Sequence, residues 1–348
     1  MRATVVLALL ALGAAAAVAA LALRAPADDR ATPPGPDSAA DDALGAGAWE
    51  PLPEMALPRT EASAVAAAGR IWVIGGLYGS GTAERRVDVF DPAAGTWDEG
   101  PDLPLPLHHA PAVAVGDRIL VLGGFVASPA FAPTAQTWSL DAASAGAGWV
   151  PFTPLPAPRG AAATATDGRN VWIFGGVAST PVYAMGLGAP FLDPTVLRID
   201  ATAAGAAWTA VAPFPDPRDH LAGAFADGKV FAIGGRDLTL DTNTGRVDVY
   251  DPASNTWSEG PPMPTPRGGL GAAAVGARIV AIGGENPSSA HDEVEVFDVA
   301  NGTWSALAPL PEPRHGVGVA ALDGNIYVAA GGPQPAFVYS ATLYRWVP

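Results

Sequence analysis

The sequence predicts an all-β fold of six small four-stranded antiparallel sheets standing side by side in a closed ring. Three observations predict it. Gly-Gly pairs end apolar stretches at Gly75-Gly76, Gly123-Gly124, Gly175-Gly176, Gly234-Gly235, Gly283-Gly284 and Gly331-Gly332, with successive spacings of 48, 52, 59, 49 and 48 residues. A tryptophan returns on nearly the same period, at Trp49, Trp97, Trp149, Trp208, Trp257 and Trp304. Glycine (41) and proline (36) punctuate the 348 residues too densely for helix interiors, where proline removes a hydrogen bond and clashes with the preceding turn.

The unit from Pro217 shows how each strand arises. "LAGAFA" is a first strand, Asp227-Gly228 a tight turn and "KVFAIGG" a second strand. After a variable loop come "RVDVYDP", a short turn and "TWSEGPPMP". Four such strands make a meander that is marginal alone in water. Stacked radially, each sheet covers its neighbour, which gives a six-bladed β-propeller. The glycine pairs permit close backbone approach or positive φ. The tryptophans, with Phe90, Tyr250 and Phe297 of the third strands, supply bulk for the wedges between blades.

Tryptophan strands and Gly-Gly units are equal in number but out of phase. "AWEPLPEMALP" precedes the first unit and has no meander of its own, whereas the last unit ends at "SATLYRWVP" without its tryptophan strand. Residues 48–57 are therefore expected to pair with the strand around Ala341–Arg345 and close the ring, which removes open sheet edges.

Outside the ring, residues 1–24 read as a signal peptide or an N-terminal membrane anchor: Arg2, an apolar run from Ala3 to Leu23, then Arg24. Ala17-Val18-Ala19 suits cleavage, and the length of the run suits an anchor. Residues 25–44, rich in Pro, Ala and Asp, read as a disordered linker, and 45–348 as the propeller. This arrangement puts the propeller outside the cytoplasm, whether secreted, periplasmic or anchored, with the membrane met only through the N-terminal segment. Net charge is −15 and basic residues are scattered, so nucleic acid is excluded as a partner. A monomer is expected. The absence of cysteine excludes disulfides, thiol catalysis and cysteine-bound zinc.

"PRTEASAVAAAGRIWVIGG", "VDVFDPAAGTW" and "PRHGVGVAALDGNIYVAAGG" resemble the kelch repeat, and the resemblance runs from about Trp49 to the last residue. It implies that the first strand of each blade lines a central channel. It specifies fold more than activity, because one fold carries many functions. Galactose oxidases of this family use copper and a tyrosine–cysteine crosslink, which a chain without cysteine cannot form. Sialic acid mutarotases are similar in plan, and that similarity implies an anionic sugar held by arginine, with a base such as Glu61 or Asp219.

In a meander, the loop between strands two and three and the link to the next blade emerge on one face, and such loops commonly carry function. The candidate ligand-binding residues gather there. The links supply Arg59, Arg159, Arg218, Arg267 and Arg314, with His108 in the matching place of the second unit. Beside them stand Glu61, His109, Asp219, His220 and His315, and inter-strand loops add Arg236, Glu285 and His291. Guanidinium groups offer bidentate contacts to anions. Recurrence in five units suits a framework role, bonding loop carbonyls or pairing with carboxylates, better than a single site. All five histidines fall on this face without local ligand spacing, so they read as solvated loop residues, and no metal or cofactor is expected. "DTNTGRVD" (241–248) lacks most ligands of a calcium loop and reads as a polar turn. The insertion 177–194, with Tyr183, Met185 and Phe191, is either a lid over the channel mouth or a plain loop.

No nucleophile motif, phosphate loop or metal signature is present, and no catalytic residue is assigned. The expected function is an extracytoplasmic binding module that presents its loop face to a protein or glycan. A carbohydrate-active enzyme acting on an anionic sugar is the alternative.

Overall fold

A computed structural model describes residues 44–45, 47–126, 131–144, 146–178 and 191–348. The expected leader, nearly all of the linker, and Tyr183 and Met185 of the third-unit insertion lie outside these residues. Six four-stranded antiparallel sheets are present, one per repeat. Blade 1 runs through Ser63–Ala67, Arg70–Ile74, Val87–Asp91 and Thr96–Glu99 in that order from the axis outward.

Strand chemistry follows radial position. First strands crowd the axis and are small: "SAVAA", "AVAV", "ATAT", "AGAFA", "GAAAV" and "GVAAL". A Cβ on Gly223 would stand 2.4 Å from the Thr164 carbonyl oxygen of the neighbouring blade. Second strands are covered by a blade on each side, so they read as unbroken apolar runs such as "RIWVI" and "RIVAI" rather than alternating ones. Fourth strands lie outermost and are largely exposed.

The core is accordingly not one mass but six apolar layers, each between two adjacent blades. Ile71, Val73 and Phe90 of blade 1 face Tyr327 and Leu343 of blade 6, while Trp72, Ile74 and Val89 of the same strands face Ile119 and Val121 of blade 2. Third-strand aromatics meet the fourth-strand tryptophans at 5.1–5.2 Å between ring centroids, as in Phe90–Trp97, Tyr250–Trp257 and Phe297–Trp304.

The ring closes as the phase offset requires. Strand Ala48–Leu52 is the fourth strand of blade 6, antiparallel to Leu343–Val347, with Trp49 opposite Trp346 and Leu52 opposite Leu343. The tryptophans also bind the blades together at the outer edge. Each indole N–H donates to the carbonyl lying four residues after the tryptophan of the preceding blade: Trp97 to Pro53, Trp149 to Pro101, Trp208 to Thr153, Trp257 to Ala212, Trp304 to Pro261 and Trp49 to Ala308, at 2.7–3.0 Å. This cycle has no gap.

A second cycle lies nearer the axis. The second residue of each glycine pair donates its N–H to the carbonyl that opens the next blade's link: Gly76 to Leu107, Gly124 to Arg159, Gly176 to Arg218, Gly235 to Arg267, Gly284 to Arg314 and Gly331 to Arg59. The cycle corrects the register of the last repeat. Its pair is Ala330-Gly331, not Gly331-Gly332, and Ala330 takes the positive φ (61°) that Gly75 takes in blade 1 (60°).

Candidate functional site

Each blade is entered through a three-residue link. The links are Arg59-Thr60-Glu61, Leu107-His108-His109, Arg159-Gly160-Ala161, Arg218-Asp219-His220, Arg267-Gly268-Gly269 and Arg314-His315-Gly316. The middle residue pairs antiparallel with the residue after the glycine pair: Thr60 with Leu77, His108 with Phe125, Gly160 with Val177, Asp219 with Arg236, Gly268 with Glu285 and His315 with Gly332. The third residue turns into the first strand in left-handed conformation, with φ between 49° and 67° in all six links.

These third residues form an innermost cycle of backbone hydrogen bonds on the propeller axis. His109 N–H donates to Glu61, Ala161 to His109, His220 to Ala161, Gly269 to His220, Gly316 to Gly269 and Glu61 to Gly316, at 2.8–3.1 Å. Two glycines and an alanine leave half of the cycle nearly bare. The side chains of Glu61, His109 and His220 fill the other half, and one ligand atom from each lies within 4.8 Å of the others.

Below this cycle runs a narrow channel of about 180 Å³ lined by first-strand Ala, Gly, Ser and Thr. Above it opens a cup of about 600 Å³. The cup has a polar floor of Glu61, His109, His220, Asp219, Arg236, Glu285 and His315. Its walls are apolar: Leu77, Phe125, Phe131, Val177, Leu238, Leu240 and Phe337.

The floor is one connected polar network. His109 Nε2 stands 3.1 Å from Glu61, and His109 Nδ1 stands 2.6 Å from Nδ1 of His108. His315 Nδ1 lies 3.4 Å from both Glu61 and Glu285. Arg236 bridges Glu285 at 2.9 Å and Asp219 at 3.4 Å, and Asp219 bonds Nδ1 of His220. The His109 and His220 rings meet edge to face at 4.9 Å.

Burial sets the charges. Burial alone would raise the Glu61 carboxyl, but His109, His315 and His220 outweigh it and hold Glu61 well below the usual carboxylate range. Asp219 is lowered in the same way, with burial opposed by His220 and Arg236. Desolvation drives His109 far down despite Glu61, and takes His108 to about 4, so both imidazoles are neutral at pH 7. His315 moves up, because Glu61 and Glu285 outweigh its burial.

The family models bear on what this architecture is. The model described as the KLHDC2/KLHL20/DRC7 Kelch-repeats domain matches residues 155–332, half of the chain, and the Kelch motif model matches residues 58–104. The chain belongs to the kelch-repeat family. A search of curated proteins returns no match.

In this kelch propeller the arginine column is part of the frame, as its recurrence favours, which corrects its place among the candidate ligand-binding residues. Arg59, Arg159, Arg218, Arg267 and Arg314 are buried inside their blades. Arg59 pairs with Asp88, Arg218 with Asp248 and Arg267 with Glu295, all acids at the second residue of the third strand. Blade 3 has Leu197 at that place and draws its acid from Asp193, while Arg314 uses Glu312 and Thr342. The same guanidinium groups also bond the carbonyls of the glycine pairs, as Arg59 does at Gly75 (2.9 Å) and Arg218 at Gly234 (2.8 Å).

His108 does not occupy the arginine place. Leu107 does, and His108 matches Thr60, Asp219 and His315. Nor are the kelch-face histidines solvated: His108 and His315 are buried, and His291 is held by Glu293 and Asn286. Of the candidate residues, Glu61, Asp219, His220, Arg236 and His315 line the cup, and His108 backs its floor through His109. Glu285, expected on this face, pairs with Arg236 and His315, a pairing that the sequence did not indicate. Sequence reasoning missed Phe125 and Phe131, which pack against His108 and His109 at 4.7–6.0 Å.

Proposed function

We propose that this kelch propeller is a binding module outside the cytoplasm that takes a protein or glycan ligand on its loop face, over the cup. The observation that carries the reading is the distribution of exposed apolar side chains. Of five large exposed hydrophobic residues among those described, four stand in the connections between second and third strands on this face: Tyr78, Phe191, Leu238 and Phe337, at 39–54 % exposure, and Leu238 and Phe337 line the cup. Exposed apolar groups gathered around a concave mouth mark interaction surfaces more often than scattered ones do. The apolar rim favours a protein ligand over a glycan. The extracytoplasmic part rests on the sequence of residues 1–24.

The anionic-sugar alternative depended on an arginine ring at the mouth. Arg236 is the arginine lining the cup, and it is already paired with two carboxylates. The floor bears Glu61, Asp219 and Glu285, a set that suits neutral or cationic groups better than anionic ones.

The test uses the immobilised chain and an envelope extract. Capture should fall for Leu238→Glu and Phe337→Glu and persist for Val150→Glu on an outermost strand. Equal capture by all four proteins would overturn the reading.

A further inference from the structure

Three side chains on the innermost cycle go beyond what a binding module needs. We propose that Glu61, His109 and His220 form a binding site for a divalent first-row transition cation on the propeller axis. Two imidazoles and one carboxylate suit zinc or ferrous iron, and three protein ligands leave coordination positions open. Glu61, His109 and His220 line both the cup and the channel below it.

The geometry needs little adjustment. The ligand atoms lie within 4.8 Å of one another, and around a tetrahedral ion with bonds of about 2.0–2.1 Å they would stand about 3.3 Å apart. Glu61 and His109 are already at 3.1 Å. Both histidines are oriented from behind, as metal-bound imidazoles characteristically are. Asp219 holds Nδ1 of His220 and leaves Nε2 free, and Asp219 is itself fixed by Arg236 and the Leu238 N–H. His108 holds Nδ1 of His109 and leaves Nε2 turned to Glu61.

Two further observations point to a missing ligand. His315, 2 % exposed, lines the cup beside Glu61, and its Nδ1 stands 3.4 Å from both Glu61 and Glu285, at the long limit of a hydrogen bond to either. Glu285 Oε2, also buried, has no nearer partner than this Nδ1. Buried polar atoms are seldom left in this state, and a metal-bound water or ligand in the cup would satisfy them. The cycle also makes room for the carboxylate: a Cβ on Gly316 would stand 2.5 Å from Glu61 Cδ and Oε1. Finally, Glu61, His109 and His220 all sit at positive φ, where blades 5 and 6 use glycine. Side chains kept in a disfavoured conformation concentrate at working sites.

The full chain, stripped with a chelator, is titrated with Co²⁺ and then challenged with Zn²⁺. One equivalent of Co²⁺ should give ligand-field absorption that Zn²⁺ abolishes. Glu61→Gln, His109→Gln and His220→Gln should each weaken binding at least tenfold, and Asp219→Asn about tenfold. His291→Gln, off the axis, should not. Thermal melts establish that each variant folds. The wild-type spectrum decides the matter even where a variant does not fold: a stripped chain that takes up no cobalt overturns the site, as does binding unchanged by Glu61→Gln in a folded protein. Loop-face capture and metal uptake fail separately, because Leu238→Glu and Phe337→Glu should lose the first and keep the second.

Discussion

His109 touches Glu61 twice. Its backbone N–H donates to the Glu61 carbonyl at 3.0 Å, and its Nε2 stands 3.1 Å from the Glu61 carboxylate. One residue pair thus belongs both to the cycle that holds the blades around the axis and to the floor of the cup. A change to these side chains is read out at the site, while the backbone bond is common to all six links.

The two glycines of that cycle should respond differently to alanine. Gly269 and Gly316 share positive φ (67° and 57°), a strain worth about 1 kcal/mol in either. Around Gly269 the nearest atom to a new Cβ is 3.6 Å away, whereas around Gly316 it is Glu61 at 2.5 Å. Gly269→Ala is expected to cost about 1 kcal/mol and Gly316→Ala about 2–3 kcal/mol, because the carboxylate must move. Urea denaturation measures both; equal costs would remove the crowding argument.

Closure should be visible in stability. Trp49 packs on Trp346 at 5.3 Å and donates to Ala308 in blade 5. Trp49→Ala is expected to cost roughly 2–4 kcal/mol, a drop in Tm of about 5–10 °C. A chain beginning at residue 54 should lose more than one beginning at residue 44, which keeps the strand Ala48–Leu52 and the buried Leu44. Identical melting of the two truncations would contradict the closure.

The arginine column makes a third prediction. Arg59 and Asp88 are both buried, and removing one partner of such a pair strands a charge. Asp88→Ala should destabilise by about 3–5 kcal/mol. Blade 2 shows an apolar solution at the same places, with Leu107 for the arginine and Trp138 for the acid. Arg59→Leu combined with Asp88→Val should therefore cost less than Asp88→Ala alone. A double-mutant cycle without coupling would refute this.

Metal should stabilise the fold through the axial site. Zn²⁺ at a hundredfold excess over its Kd is expected to add about 2.7 kcal/mol and raise Tm by about 5–10 °C, since it binds the folded ring and not the separated strands. Scanning calorimetry with and without Zn²⁺ measures it. The same shift in Glu61→Gln would place the ion elsewhere.

The fold was legible in the sequence because repetition exposes packing. Glycine pairs and tryptophans recur on one period, and the offset of Trp49 indicates the closing strand. The arginines recur equally plainly, yet recurrence does not say whether a side chain faces a ligand or a neighbouring strand. That depends on Asp88, Asp248 and Glu295, which stand 28–30 residues downstream. Glu61, His109 and His220 escaped as a group because they lie on three blades and because the second link was aligned one residue late. The 48-residue spacing of the first two glycine pairs carries Arg59 onto Leu107 and Glu61 onto His109, a signal present in the sequence. Glu285 was legible as a loop-face carboxylate, but not as a partner of His315, which it reaches only across a blade boundary.

The innermost cycle has sixfold backbone bonding but carries only three reactive side chains. Ala161 and Gly269 contribute to the scaffold through main-chain atoms alone. Those two positions are blank sockets in a finished frame. At Gly269 a new side chain meets nothing nearer than 3.6 Å, so its cost is that of the left-handed backbone. A propeller of this kind separates inheritance of shape from invention of chemistry, so a lineage can rewrite its centre by point substitution while its architecture stands still.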